Sequence, residues 1–422
     1  MSNTMKRRIL LLILTMLLLL SCSTLSFAAS AEPSASETKE TETIDAKTYY
    51  YDRFDNDAYR NVYEQINQAA YNFHNSTTNG EYQDDGYYAA FSLSVSKKDW
   101  DVIGATGLDK VVKAVLADHP EYFWMSADHI YESSTSESGL TYYLVTIKCY
   151  DIYANGTSRQ VAKNNMEITI GNYGTSIEAA LPDYIKAYLV HNAIIEDVYY
   201  KTDVTEMNTE NVWAFTADGI FNSKYKSAVS FGYAKAFKAV MDYLNIPCIY
   251  VEGNDVENED GNKKTTEAWN QIYISGEWYL IDLAFDDPET TTGKDVLTYD
   301  YFNITSEKAS GMAKPLKVSD SWLPGVPECK GTEFSLAKIQ SELENSDIWQ
   351  KSNYNFIDKI FDKYGVSVVL ISIGVILILI VLLIKNIHKR NKNKKKEKIK
   401  RTKTKVIDQS ELDEHLRKPP LS

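Results

Sequence analysis

Three side chains carry the chemistry this sequence could do: Ser230, Glu267 and Asp282. Ser230 heads a run from Ser227 to Leu244 in which Phe237, Val240, Met241 and Leu244 recur at helical spacing. A side chain there faces the free N–H groups and the positive dipole end of a helix. Glu267 immediately precedes, and Asp282 lies within, two alternating segments, Ala268 to Ile274 and Trp278 to Ala284, on either side of Ser275-Gly276, which reads as a two-residue hairpin turn. With that turn Ile274 pairs with Glu277. Counting outward sets Glu267 opposite Ala284 and makes Asp282 its diagonal neighbour on the same face. The spacing therefore predicts a hydroxyl at a helix start and two carboxylates close in space.

Each residue also has a plain structural reading. Serine is a good N-cap, worth about 1 kcal/mol, and that role is preferred here for Ser230 over a nucleophile. Two adjacent carboxylates repel, so one pKa rises unless a shared proton, a nearby lysine or a bound cation intervenes. A metal at this pair is left open. Cys248, between Pro247 and Ile249, reads as a thiol in a buried strand, and His119 and His191 read as turn and helix packing. No Cys/His cluster has zinc-ligand spacing and no glycine-rich phosphate loop or internal repeat occurs, so no cofactor is expected. The 30 tyrosines, with Trp213, Trp269 and Trp278, read mainly as core and half-buried surface; a cleft lined by them would suit peptides or sugars.

The order of these motifs is similar to that of the transglutaminase-like superfamily of bacterial surface proteins, papain-like thiol enzymes in fold. Members typically read Val-Cys-x-Gly-Tyr-Ala, His-Ala-Trp-Asn and Trp-Tyr-x-x-Asp. The matching stretches here are Val229-Ser230-Phe231-Gly232-Tyr233-Ala234, Glu267-Ala268-Trp269-Asn270 and Trp278-Tyr279-Leu280-Ile281-Asp282, with Ile246-Pro247-Cys248 between the first two. The segment from Asp118 to Trp124 and the helix expected over Tyr184 to Tyr200 resemble what precedes the domain in such proteins. The likeness covers roughly residues 50–305, and its strong motifs lie in 225–288. It implies a thiol made acidic at a helix start, an imidazole beside it and an aspartate that orients the imidazole. Here the thiol position is Ser230, the imidazole position is Glu267, and Asp282 alone keeps its type. A glutamate of pKa about 4.3 is a weak base for a serine hydroxyl, so the inherited thiol reaction should not run.

The ends of the 422-residue chain set its organisation. Lys6, Arg7 and Arg8, an apolar run from Ile9 to Leu20 and small residues through Ala31 have the layout of a secretory signal over 1–31. Cleavage after Ala31 fits, and so does a lipoprotein-type box at Leu19-Leu20-Ser21-Cys22 that would put lipid on Cys22. Residues 365–384 are uncharged and apolar, and about 20 such residues span a bilayer core of about 30 Å. The lysine-rich stretch that follows marks the cytoplasmic side, so the tail 385–422 points inward and the N-terminal bulk outward. The chain has 45 Lys and Arg against 58 Asp and Glu, and its basic residues concentrate in that tail. The outward part is thus strongly acidic, which disfavours nucleic acid as a partner. Cys149, Cys248 and Cys329 allow at most one disulfide outside the membrane.

The resulting fold expectation is α+β: a helix packed on an antiparallel sheet over 176–305, with a smaller mixed α/β region over 47–175 before it. A flexible stalk at 32–46, a membrane-proximal region at 306–364 and a single transmembrane helix complete the layout. Within the mixed region, Tyr59 to Phe73 and Leu108 to Leu116 have helical spacing, while Thr141 to Ile147 and Met166 to Ile170 alternate like strands. The functional expectation is a membrane-anchored, extracytoplasmic binding or scaffold module, catalytically inactive, for a peptide, a cell-wall component or a partner protein. The alternative is an active hydrolase or acyl-transferase with a rebuilt site that uses Ser230 or the Glu267 and Asp282 pair.

Overall fold

The structure, a computed structural model, describes residues 44–83, 86–255, 266–288, 296–312 and 314–344. The expected signal segment, most of the stalk, the membrane helix at 365–384 and the basic tail lie outside these residues. Among the described residues, no helix is long and apolar enough to cross a membrane.

The described residues from Ala46 onward form one compact unit. Its first layer pairs α1 (Asp57–His74) and α2 (Lys97–Asp118) with an antiparallel sheet of β1 (Glu81–Tyr82), β2 (Tyr88–Ser96), β3 (Met125–Thr135) and β4 (Thr141–Cys149), ordered β1-β2-β4-β3. Both helices sit where the 3.6-residue spacing predicts them. The expected strand over Met166 to Ile170 is instead part of α3 (Gly156–Thr175). Asn155 starts that helix by accepting a 2.9 Å bond from the Ser158 N–H. A strand would put Met166 and Ile168 on one face, yet Met166 is 1% exposed and Ile168 63%. The β-branched residues there imitate a period of two on the outer side of a helix.

The second layer is the expected helix on an antiparallel sheet. After α4 (Asp183–Asp197), a short parallel pair of β5 (Tyr199–Tyr200) with β6 (Ser227–Ala228) and the turn helix α5 (Asp218–Phe221), the chain enters α6 (Ser230–Tyr243). Phe237, Val240 and Met241 on α6 are fully buried. The sheet runs β10-β7-β8-β9, from β7 (Cys248–Asp255), β8 (Thr266–Ile274), β9 (Glu277–Ile281) and β10 (Leu316–Val318). β10 pairs with β7, so the core sheet draws on residues beyond 305.

Ser275 and Gly276 both have positive φ, 51° and 92°, as the tight hairpin turn requires, and Ile274 pairs with Glu277 as expected. The ladder stops at Asn270 opposite Ile281, however, because Asp282 starts α7 (Leu283–Asp286). The extrapolated pairing of Glu267 with Ala284 therefore does not form. The remaining helices are α8 (Ser306–Ser310) and α9 (Leu336–Glu344).

Two polar residues lock the layers together. Lys238, fully buried on α6, donates to the Ala46 carbonyl at 3.1 Å, to the Cys248 carbonyl at 3.0 Å and to the Asp242 carboxylate at 3.1 Å. Asn270, equally buried on β8, donates from Nδ2 to the Ala234 carbonyl at 2.9 Å and so pins α6 to the sheet. Cys149, Cys248 and Cys329 are all buried and free.

Candidate functional site

Ser230 opens α6, but it is not the cap. Val229 takes the extended N-cap conformation, and no side chain caps this helix end. Ser230 is the first helical residue, 2% exposed, and its Oγ accepts a long 3.4 Å bond from the Ala268 N–H on β8. The expected capping role is thereby overturned. With Val229 holding the cap dihedrals, the hydroxyl one residue later turns outward from the helix end toward the sheet. Close packing fixes this arrangement. A Cβ on Gly232 would lie 2.6 Å from Ala228 Cβ and 2.7 Å from the Ala214 carbonyl oxygen, so only glycine lets the first turn of α6 settle so deeply.

Glu267 precedes Ala268 on β8, opposite Gly253 of β7, and is 9% exposed. The Ala268 N–H that meets Ser230 therefore sits one residue from the Glu267 side chain. Asp282, 1% exposed, leaves the end of β9 and caps α7, its Oδ1 accepting from the Phe285 N–H at 3.0 Å. Its Oδ2 is buried without a hydrogen-bond partner among the described residues. Burial pushes the Asp282 carboxyl well above the usual carboxylate range; the Phe285 N–H opposes this, and the charges of Glu267 and Asp286 push it further up. The two carboxylates do feel each other, although the ladder that was to bring them together ends early.

An imidazole also borders this cluster, and sequence reasoning assigned it only to packing. His191, on α4, is completely buried, with Nε2 at 3.2 Å from Asp286 Oδ2. It packs against Tyr299 and Phe302 as a core ring would. Asp286 also accepts from the Tyr301 N–H at 2.9 Å, and burial raises its pKa while His191 opposes the rise. Next to it, Asp287 accepts a short hydrogen bond from the Tyr233 hydroxyl, one turn along α6 from Ser230. The sequence signal for this extension was the Asp286-Asp287-Pro288 run after Asp282, which gave no hint that α4 would supply its partner. Cys248 is fully enclosed and burial pushes its thiol up, so it is no substitute nucleophile. The imidazoles of His119 and His191 are each engaged with a carboxylate, Glu121 and Asp286 respectively.

Ser230, Glu267, Asp282 and Asp286 thus converge where α6 meets the open end of β8 and β9. The group offers one hydroxyl without a basic partner, three carboxylates and an imidazole engaged with one of them. Among the described residues, no group of three or more His, Cys, Asp or Glu side chains is arranged to hold a metal ion. Burial and the neighbouring carboxylate charges favour the protonated form of Asp282.

Residues 172–283 match the family model of the transglutaminase-like superfamily. Among solved structures, a protein assigned as a cysteine protease from Cytophaga hutchinsonii is similar at 16% identity and a TM-score of 0.23, over 41% of this chain and 67% of that one. The periplasmic domain of TgpA from Pseudomonas aeruginosa, bound to ethylmercury, is similar at 12% identity and a TM-score of 0.21, over 38% of this chain and 68% of that one. A second structure of that domain gives 14% identity and a TM-score of 0.21, over 35% and 55%. No curated protein matches the chain.

Proposed function

We propose that this transglutaminase-like domain is a non-catalytic module that binds a peptide, a cell-wall component or a partner protein at the outer face of a membrane. The observation that carries the reading is the state of Ser230: its hydroxyl accepts from the Ala268 N–H, and the imidazole position beside it is the carboxylate of Glu267. A carboxylate is a weak base toward a hydroxyl, and Asp282, with no imidazole to orient, is pushed toward keeping a proton. Membrane anchoring is part of the proposal and rests on the apolar run at 365–384 with its basic flank. The test is an assay of the full-length chain, beside Ser230→Ala, on amide, ester and amine-acceptor substrates. No turnover above background is expected from either; turnover that Ser230→Ala abolishes would overturn the reading.

One observation favours a second reading, a rebuilt hydrolase or acyl-transferase. A carboxyl that keeps its proton beside a second carboxylate is the pairing that general acid–base chemistry uses. On that reading Asp282→Asn and Glu267→Gln would each abolish a turnover that Ser230→Ala leaves partly intact.

A further inference from the structure

A cavity of ≈ 130 Å³ lies along the first two turns of α6, on the side of Phe231 and Lys235. Its walls join α6 to Ala117 at the end of α2, to His119 just after it and to Glu252 of β7, with Trp322 closing one end. Protein interiors hold few voids larger than a water molecule, so a space of this size is not ordinary packing. A dry engineered cavity of about 150 Å³ accommodates one benzene ring, and this space is of the same order.

The lining is apolar and aromatic with charged groups set into it, and the charges are unbalanced. Lys113 and Lys235 line it against Glu252, while His119 lines it already paired with Glu121. Three of these four groups have a defined second contact. Lys235 Nζ donates to the Phe215 carbonyl at 3.0 Å, and Glu252 Oε1 accepts from the Tyr250 hydroxyl at 2.9 Å. His119 Nδ1 lies 2.9 Å from Glu121 Oε1, while its Nε2 is buried with no hydrogen-bond partner among the described residues. Burial, the largest influence, disfavours the charged His119 ring, but the hydrogen bond to Glu121 together with the charges of Glu121 and Asp118 raises the pKa overall. The Lys235 ammonium is the charged donor set in the cavity wall, and an anionic oxygen would pair with it.

We propose that this cavity binds a small carboxylate with one ring-sized apolar body, the body packed among Ala117, Phe231 and Trp322 and the carboxylate met by Lys235, with Lys113 adding positive charge to the lining. The site is separate from the Ser230 cluster, because the Ser230 hydroxyl is engaged with β8 while Phe231 forms the cavity wall. It does not depend on whether the domain is catalytic.

The test is calorimetric titration of the purified full-length chain with benzoate, with benzamide as the neutral isostere and acetate as the headgroup without a body. Benzoate should bind saturably at one site, with benzamide and acetate each at least about tenfold weaker. Ala117→Leu fills the cavity and should abolish benzoate binding while leaving the far-UV circular dichroism unchanged. Lys235→Met should weaken benzoate about tenfold and leave benzamide unaffected; it carries the test if Ala117→Leu fails to fold. Absence of saturable benzoate binding, equal affinity for benzoate and benzamide, or unaltered benzoate affinity in Lys235→Met would each overturn the proposal.

Discussion

Asp282→Asn should stabilise the protein at neutral pH and do nothing at acid pH. Its Oδ1 caps α7 through the Phe285 N–H, a bond that asparagine keeps. The change falls on Oδ2, which is buried without a partner and next to the charges of Glu267 and Asp286. An amide nitrogen there replaces an unsatisfied acceptor with a donor near two negative charges. Burial first, then those two charges, raise the folded-state pKa above its ordinary 3.8. The native state therefore holds the proton more tightly than the unfolded state. The stability due to Asp282 is full below about pH 3.8 and is lost as pH rises through the folded value. Each pH unit crossed in that window costs about 1.4 kcal/mol. A buried acceptor left unsatisfied costs about 1–3 kcal/mol, which sets the expected gain at pH 7.5. Denaturant melts of wild type and variant at pH 4 and pH 7.5 read the difference, and other titrating groups cancel in the comparison. With about 2–4 °C per kcal/mol for large domains, a scanning melt should also resolve it. An Asp282→Asn variant that is destabilised by the same amount at both pH values would refute the reasoning.

Further outcomes follow from the same structure. Lys238→Met leaves Asp242 and the carbonyls of Ala46 and Cys248 without their buried cation, and should cost about 3–5 kcal/mol in a urea melt. His74, which accepts from Trp124 Nε1 at 3.2 Å, has its pKa lowered from 6.5 to about 4 by burial. Its stabilisation is present above pH 6.5 and lost as pH falls toward 4, so His74→Gln should flatten that acid limb by up to about 3 kcal/mol. External protease on intact cells should remove the outward domain and spare the lysine-rich tail, as fragment mapping with a tail antibody would show; a protected N-terminal domain would invert the topology.

The sequence made the second layer legible because its signals are local. Ser275-Gly276 demands one turn type, and the helical spacing of Phe237, Val240 and Met241 leaves one buried face. It failed where neighbours decide. Ile168 and Ile170 alternate with polar residues as in a strand, but only the packing of Met166 and the Asn155 cap reveal a helix. The ladder count past Ile281 failed because Asp282 is drawn to cap α7, a choice that hairpin arithmetic cannot see. His191 was unreadable as a neighbour of the site because 95 residues separate it from Asp286.

These failures and successes have a common physical cause, which bears on how the retained motif should be weighed. Gly232 is needed for the depth of α6, Asn270 for its attachment to β8, and Asp282 for the start of α7. None of these roles requires a thiol or an imidazole. Ser230 and Glu267, by contrast, occupy the two positions whose usual side chains serve the reaction, and there the motif is broken. Packing and capping therefore account for Gly232, Asn270 and Asp282, three motif residues that keep their type. If catalysis had kept Asp282 in place, asparagine there would remove function without a gain in stability. If capping has kept it, asparagine preserves the cap, relieves the buried acid and leaves the domain more stable at neutral pH. The sign of that one stability difference separates the two histories.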